Sequence, residues 1–156
     1  MGVSGTGKTT IGQLLASALG YRFLDGDSLH PGKNIDKMSQ GIPLTDADRC
    51  PWLVAIRDPI VDSLQRGEGL VVACSALKQE YREILSGGVT ATWVYLRGRE
   101  ETIRGRMQVR EKHFMKPQML ASQFADLEEP RDAIVVDISL EPSLLVNQIL
   151  ELITPP

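Results

Sequence analysis

Near the start of the chain, GVSGTGKTT sets Gly2, Gly5 and Gly7 among small residues and ends in Lys8, Thr9 and Thr10. Gly2–Thr9 fits the spacing G-x-x-x-x-G-K-[ST], which turns consecutive backbone N–H groups toward one concave point at a helix N-terminus, a cradle for phosphate. Gly2, Val3, Ser4, Gly5, Thr6 and Gly7 would form the cradle, Lys8 would reach the outer phosphates, and the hydroxyl of Thr9 would ligate Mg2+, with Thr10 as a poorer-spaced substitute. A second stretch, FLDGDSLHP, puts Asp25 and Asp27 just past a short apolar run. No acidic residue closes LVVACS or TWVYLR, so Asp25 is the candidate strand-end carboxylate for the metal. Asp27, two residues on, can align an attacking hydroxyl or accept its proton. A D-x-D pair alone is weak evidence, since it also decorates turns and caps helices. Beside a phosphate loop it points to phosphoryl transfer.

Basic and polar residues elsewhere would serve an anionic acceptor. His30 precedes Pro31 and fits a turn or a ligand contact, and Arg49 heads a helix. Ser75, Lys78 and Arg82 follow a strand, the last two spaced one turn apart, where a solvated helix face is the competing reading. Arg104, Arg106 and Arg110 recur about once per turn before a break at KHFMKP that contains His113. A basic helix, a break and a second amphipathic helix over about 104–127 is the pattern of a mobile lid whose arginines, Arg106 and Arg110 foremost, neutralise a transferring phosphoryl group.

The elements that must hold these residues follow from periodicity. Ile11, Leu14, Leu15, Ala18 and Leu19 have helical spacing, stopped by Gly20. YRFLD (21–25) reads as a strand and 31–41 as a short helix. Thr45 and Asp48 form a capping-box pattern ahead of a helix over 45–67, with Trp52, Leu53, Ile56, Ile60 and Leu64 as its buried stripe and Pro59 expected to kink or interrupt it. LVVAC (70–74), TWVYL (92–96) and AIVVDI (133–138) are dense and β-branched, as buried parallel strands are. Helical stretches at about 78–86, 99–111, 117–127 and 142–153 separate them. The sum is a single α/β domain over 1–156 with a parallel sheet covered on both faces.

Composition narrows the function classes. The 156 residues are 42% hydrophobic and 24% charged with a net charge of -3, which gives no reason to expect nucleic acid or an anionic membrane as partner. Cys50 and Cys74 lie far apart, without C-x-x-C or zinc spacing, as suits a reduced, cytoplasmic setting. No apolar run approaches the ~20 residues of a membrane span.

Taken together, GVSGTGKTTIG, FLDGDSLHPGKNIDKMSQGIPLTDADRCPWL, VVACSALKQEYREIL and HFMKPQMLASQFADLEEP resemble the gluconokinases of the phosphate-loop kinase superfamily, relatives of shikimate and nucleoside monophosphate kinases. The resemblance spans nearly the whole chain, and the long run from Asp25 to Trp52 is far more specific than the phosphate loop. It implies a three-layer kinase fold and ATP- and Mg2+-dependent phosphorylation of D-gluconate at its 6-hydroxyl, feeding the pentose phosphate pathway. It leaves homodimer formation open, as it does a kinase for another small hydroxylated metabolite such as shikimate. The chain departs from the family pattern at Lys112, at the short LEEPRDAIVV link and at Pro59. It departs most at its start. The family sheet order, 2-3-1-4-5, makes the strand that feeds the phosphate loop central, and here only Met1 precedes Gly2. The expectation is a kinase lacking its first strand, truncated or alternatively started, with backbone groups of the flanking strands unmet at roughly 1–3 kcal/mol each. Several such groups rival a domain's whole stability of about 5–15 kcal/mol, so a catalytically silent product that retains nucleotide or partner binding is the rival reading.

Overall fold

The computed structural model describes residues 1–108 and 119–153. Helix α1 (Lys8–Leu19) leaves the phosphate loop and closes at Gly20, whose left-handed backbone lets its N–H reach the last carbonyls. Strand β1 (Arg22–Asp25) leads through a 3-10 turn (Gly26–Leu29) into α2 (Gly32–Ser39). Helix α3 (Asp46–Gln65) begins with the expected capping box: Thr45 accepts from the Asp48 N–H while the Asp48 carboxylate accepts from the Thr45 N–H. It then runs unbroken through both Pro51 and Pro59. The expected interruption at Pro59 does not occur; each proline removes a single helical donor, and the buried anchors Trp52, Leu53 and Ile56 hold the segment against the sheet. The stripe also ends sooner than its period suggests, for Ser63 is buried and Leu64 is 47% exposed.

Strand β2 (Leu70–Ala73), α4 (Gln79–Ser86), β3 (Val94–Arg97), α5 (Glu100–Gln108), α6 (Leu120–Asp126), β4 (Ile134–Asp137) and α7 (Pro142–Ile153) complete the order. All described pairing is parallel, Arg22–Asp25 beside Leu70–Ala73 and Val94–Arg97 beside Ile134–Asp137. The described strands form two two-stranded sheets, β1-β2 and β3-β4, rather than one. Met1 and Gly2 lie between them. Met1 donates from its amino group to Val94 O (2.5 Å) and accepts from Leu96 N (3.0 Å), and Gly2 N donates to Ser75 O (3.2 Å). Met1 thus pairs with β3 at the place expected for a central strand.

Two apolar clusters lie on opposite faces of these strands. One joins α1 and α7 through Ile11, Leu15, Leu145 and Ile149; the other joins α3 and α4 through Trp52, Ile56, Tyr81 and Leu85 and includes Met1. That is the covered, layered arrangement which the dense β-branched strands require.

Candidate active site

The phosphate loop is fixed from three sides. Thr6 Oγ1 donates to Val3 O (3.0 Å), closing the turn on itself. Ser4 N donates to Gln123 Oε1 of α6 (2.6 Å). Gly5, at φ 86°, has Met107 and Ile103 of α5 so close that an added Cβ would lie 2.8 Å from Met107 Cγ. Only glycine meets both conditions there. Lys8 Nζ donates back to Val3 O (2.9 Å), inside the curve of the loop.

Asp25 ends β1 and makes two contacts of different kinds. Its Oδ2 accepts from Thr9 Oγ1 (2.8 Å), and its Oδ1 accepts from the backbone N–H of Asp27 (3.1 Å). The hydroxyl expected to ligate a metal and the carboxylate expected to help it therefore converge, although they are 16 residues apart in sequence. Two hard oxygen donors at the mouth of a phosphate loop suit Mg2+, which takes one or two protein oxygens and completes its shell with water and phosphate. Among the described residues no group of three or more His, Cys, Asp or Glu forms an all-protein metal cage.

Asp27 is aimed by its surroundings. Gly26 packs against β2 and α3 so tightly that a Cβ would lie 2.9 Å from Ala73 O and from Ile56 Cδ1, and its carbonyl accepts from Trp52 Nε1 (2.7 Å). The carboxylate of Asp27 accepts no hydrogen bond among the described residues. It acts electrostatically on both His30 and Cys74, as Lys8 does on Cys74. Burial pushes the Cys74 thiol up to about 12, so it is an inert core residue. His30 stacks on Trp52 with ring centroids 4.2 Å apart and planes 10° from parallel. Burial lowers its pKa, opposed by Asp27 and reinforced by Arg49. It is a neutral ring at pH 7, presented beside Asp27.

The basic candidates divide. Arg49 donates to Tyr81 Oη (3.0 Å) and to Asp126 Oδ2 of α6 (3.0 Å). Lys78 bonds both oxygens of Asp46 (2.8 and 3.0 Å), and Tyr81 Oη donates to the same carboxylate, which Lys78 and then Tyr81 hold below its ordinary pKa. Lys78 is the N-cap of α4, and its carbonyl accepts from the Arg82 N–H one turn on (3.3 Å), but the two side chains go to different partners. Arg82 is 4% exposed and donates to Ala76 O and Leu77 O, bracing the loop after β2. In that loop Ala76 has φ 44°, the only non-glycine positive φ among the described residues, and Ser75 offers its carbonyl to Gly2. Arg106 donates to Ile138 O (2.7 Å), while Arg104 pairs with Glu100 on the same helix. Thr10 is exposed on α1. Arg110 and His113, with Lys112 and the central part of the expected lid, lie outside the described residues.

Several residues that shape the site carry no motif of their own. Asn34 is fully buried and donates to Asp48 O (2.9 Å), while its Oδ1 has no partner among the described residues. Lys37 holds Asp48 (2.9 and 2.8 Å), stitching α2 to the head of α3 and pulling the Asp48 carboxyl well below the usual range. Gln123 and Asp126 tie α6 to the phosphate loop and to Arg49. Asn34 and Lys37 sit inside the long HPGKNIDKM run, but Gln123 is one polar residue on a helix and offers no signal until the loop is seen against it.

Comparison with known proteins gives one answer at two levels. A protein-family model described as Shikimate kinase matches residues 4–153. The thermosensitive gluconokinase of Escherichia coli (strain K12) is 46% identical over 153 residues, covering 95% of this chain and 82% of its own length. The gluconokinase of Gluconobacter oxydans (strain 621H) is 44% identical, covering 96% and 86%. Among solved structures, a gluconokinase from Sinorhizobium meliloti 1021 superposes with a TM-score of 0.86 at 43% identity, over 96% of this chain and 86% of that one. An unliganded sugar kinase from Janibacter sp. HTCC2649 reaches 0.90 at 42%, over 96% and 89%.

Proposed function

The chain belongs to the gluconokinase family within the shikimate-kinase-like phosphate-loop kinases, and from that premise we propose that it transfers the terminal phosphoryl group of ATP to the 6-hydroxyl of D-gluconate. The observation that carries this reading is the contact of Thr9 Oγ1 with Asp25 Oδ2 at 2.8 Å, with Asp27 hydrogen-bonded to the same carboxylate. It links a phosphate cradle directly to a second carboxylate that can address a hydroxyl.

Phosphoryl transfer through a loose transition state asks for alignment and charge neutralisation more than for covalent chemistry. The loop amides from Gly2 to Thr9 and the ammonium of Lys8 receive the phosphates, Lys8 swinging from Val3 O to do so. Thr9 and Asp25 would hold Mg2+, which when bound neutralises charge on the phosphates. Asp27 accepts the hydroxyl proton or aligns the hydroxyl for in-line attack, held there by the Trp52 clamp on Gly26. His30 and Arg49, both within electrostatic reach of each other, and Ser75 and Lys78 at the end of β2 would hold the polyol and its carboxylate. Arg106 and Arg110, with His113, belong to the lid in this reading, and Gln123 and Asp126 carry lid position to the loop and to Arg49.

A coupled assay with ATP, Mg2+ and a panel of gluconate, shikimate and other small hydroxy acids tests the proposal. The expected result is ADP release with gluconate at a kcat/KM at least tenfold above every other acceptor. Equal turnover across the panel would remove the gluconate assignment, and nucleotide binding without ADP release would select the silent-kinase reading.

A further inference from the structure

His30, Asn34 and Trp52 come from three pieces of the chain, the end of the 3-10 turn, α2 and α3, and meet at one place beside Asp27. His30 lies flat on Trp52, with ring centroids 4.2 Å apart. Asn34 is 0% exposed, and its Nδ2 lies 2.9 Å from Asp48 O and 3.5 Å from His30 Nδ1. At that burial Asn34 touches no ligand, so anything it does for one runs through its neighbours.

The two contacts of Nδ2 fix a proton that the ring alone leaves undecided. A backbone carbonyl only accepts, so the atom beside Asp48 O is the amide nitrogen and not the amide oxygen. Turning the amide over would set two acceptors face to face. The cost of the orientation shows on the other side, where Oδ1 is buried without a partner among the described residues. The second N–H of Asn34 is therefore the one that faces His30. A ring nitrogen that faces a donor has to accept, which puts the proton of the neutral ring on Nε2. The opposite tautomer and the imidazolium would each set Nδ1–H against an amide N–H. Stacking on Trp52 holds the ring plane, and a half-turn within that plane would bring a C–H to the amide and lose the bond. At 3.5 Å the bond is long, and its contribution is selection between proton positions rather than strength.

We propose that Asn34 is a positioning residue that holds His30 as the neutral Nε2–H tautomer, so that His30 donates a hydrogen bond to an oxygen of the acceptor and does not compete with Asp27 for the hydroxyl proton. The donor role rests on the phosphoryl-transfer reading above; the tautomer does not. His30 is half-buried and its Nε2 makes no hydrogen bond among the described residues, which leaves that N–H for a ligand. With Nδ1 engaged by Asn34 and Nε2 protonated, the ring has no lone pair to offer as a base, and Asp27 keeps that task. Burial lowers the ring's pKa most, Asp27 of the 3-10 turn raises it and Arg49 of α3 lowers it, while Asn34 and Trp52 bring no charge.

Imidazole NMR of the 15N-labelled full chain tests the tautomer directly. The chain has two histidines, His30 and His113, and His30→Gln identifies the signal that matters. At pH 7 His30 should show a protonated Nε2 and a bare Nδ1, and should take its second proton only below the ordinary 6.5. Asn34→Asp has nearly the same shape but sets an acceptor against the ring, so Nδ1 should then hold a proton at pH 7. Asn34→Leu brings no charge into the core and removes the donor, and the Nδ1–H form should appear beside the other. In steady-state kinetics His30→Phe keeps the stack without the donor and should raise the gluconate KM about tenfold, by more than kcat falls. His30→Gln restores an N–H donor and should recover about threefold of that rise. A bare Nε2 or a charged ring in the wild-type chain at pH 7, an unmoved tautomer in both Asn34 variants, or an equal gluconate KM in wild type and His30→Phe would each overturn the proposal. Absence of turnover in the wild-type chain fails the gluconate reading instead, and with it the donor role, while the tautomer is read without substrate.

Discussion

The rim of the phosphate loop and the sheet beneath it are built to different degrees of completeness. At the rim, Thr9 meets Asp25, Asp27 leans on Asp25, Trp52 clamps Gly26, and Gln123 braces Ser4. Below it, β2 and β3 belong to separate two-stranded sheets and face each other across a cavity of about 570 Å³. The rim is assembled by side chains and turns anchored on helices α1, α3 and α6, which do not need the central strand to be long. The contrast shows that the geometry of a site and the continuity of the sheet that carries it are separable; Met1 bonds to β3 and Gly2 to Ser75 just past β2.

That separation can be attacked from either end. The largest effect is expected at the rim: Lys8→Met should lower kcat/KM with ATP and gluconate by about 10³-fold or more, since in the proposed mechanism it removes the loop ammonium that receives the phosphates. Steady-state kinetics check this, and a loss under tenfold would detach the loop from catalysis. The sheet side should show itself in pH. Burial, then Lys8, lowers the Met1 amino group from 8.0 to about 5. Between those values the unfolded chain binds more protons than the folded one, so stability should rise with pH across that window, by up to about 4 kcal/mol. Urea unfolding of the 156-residue chain at pH 5 and pH 8 measures it, and N-terminal acetylation should flatten the slope. An unchanged slope would mean that the amino group is not held in the cavity.

Smaller changes sharpen the link between the two regions. Trp52→Phe keeps the apolar body but leaves Gly26 O without its donor, which should cost about 1–3 kcal/mol and raise the gluconate KM more than the ATP KM. Thr45→Ala removes half of the capping box and should cost about 1 kcal/mol in chemical denaturation while leaving both KM values near wild type. Arg66→Ala, at an exposed i,i+4 pair with Asp62, should shift stability by less than about 0.5 kcal/mol. A large effect there would contradict the view that stability is decided around the cavity and the site rather than on the surface.

Most of the rim is legible in sequence because each part is local. The loop spacing, the D-x-D after β1 and the Thr45–Asp48 box each depend on residues a few positions apart. Local reasoning fails where a role depends on a distant partner. Arg82 follows a strand as a substrate-binding cation would, yet the carbonyls of Ala76 and Leu77 claim it, and Lys78 pairs with Asp46. Pro59 lowers helix propensity, but packing of Trp52, Leu53 and Ile56 outweighs the loss of one donor. Gln123 and Asp126 acquire meaning only when α6 is laid against the loop and Arg49.

The sequence by itself determined the chemistry at the loop, the alternation of helices with buried strands, and the family, because these are written in spacing and periodicity. Tertiary structure alone decided which cations are claimed by carbonyls and carboxylates of the chain and how the turn at Gly26 is clamped. It also decided that the two sheets stand apart around a cavity, since hydrogen bonds between strands and packing between layers join residues that share no sequence neighbourhood.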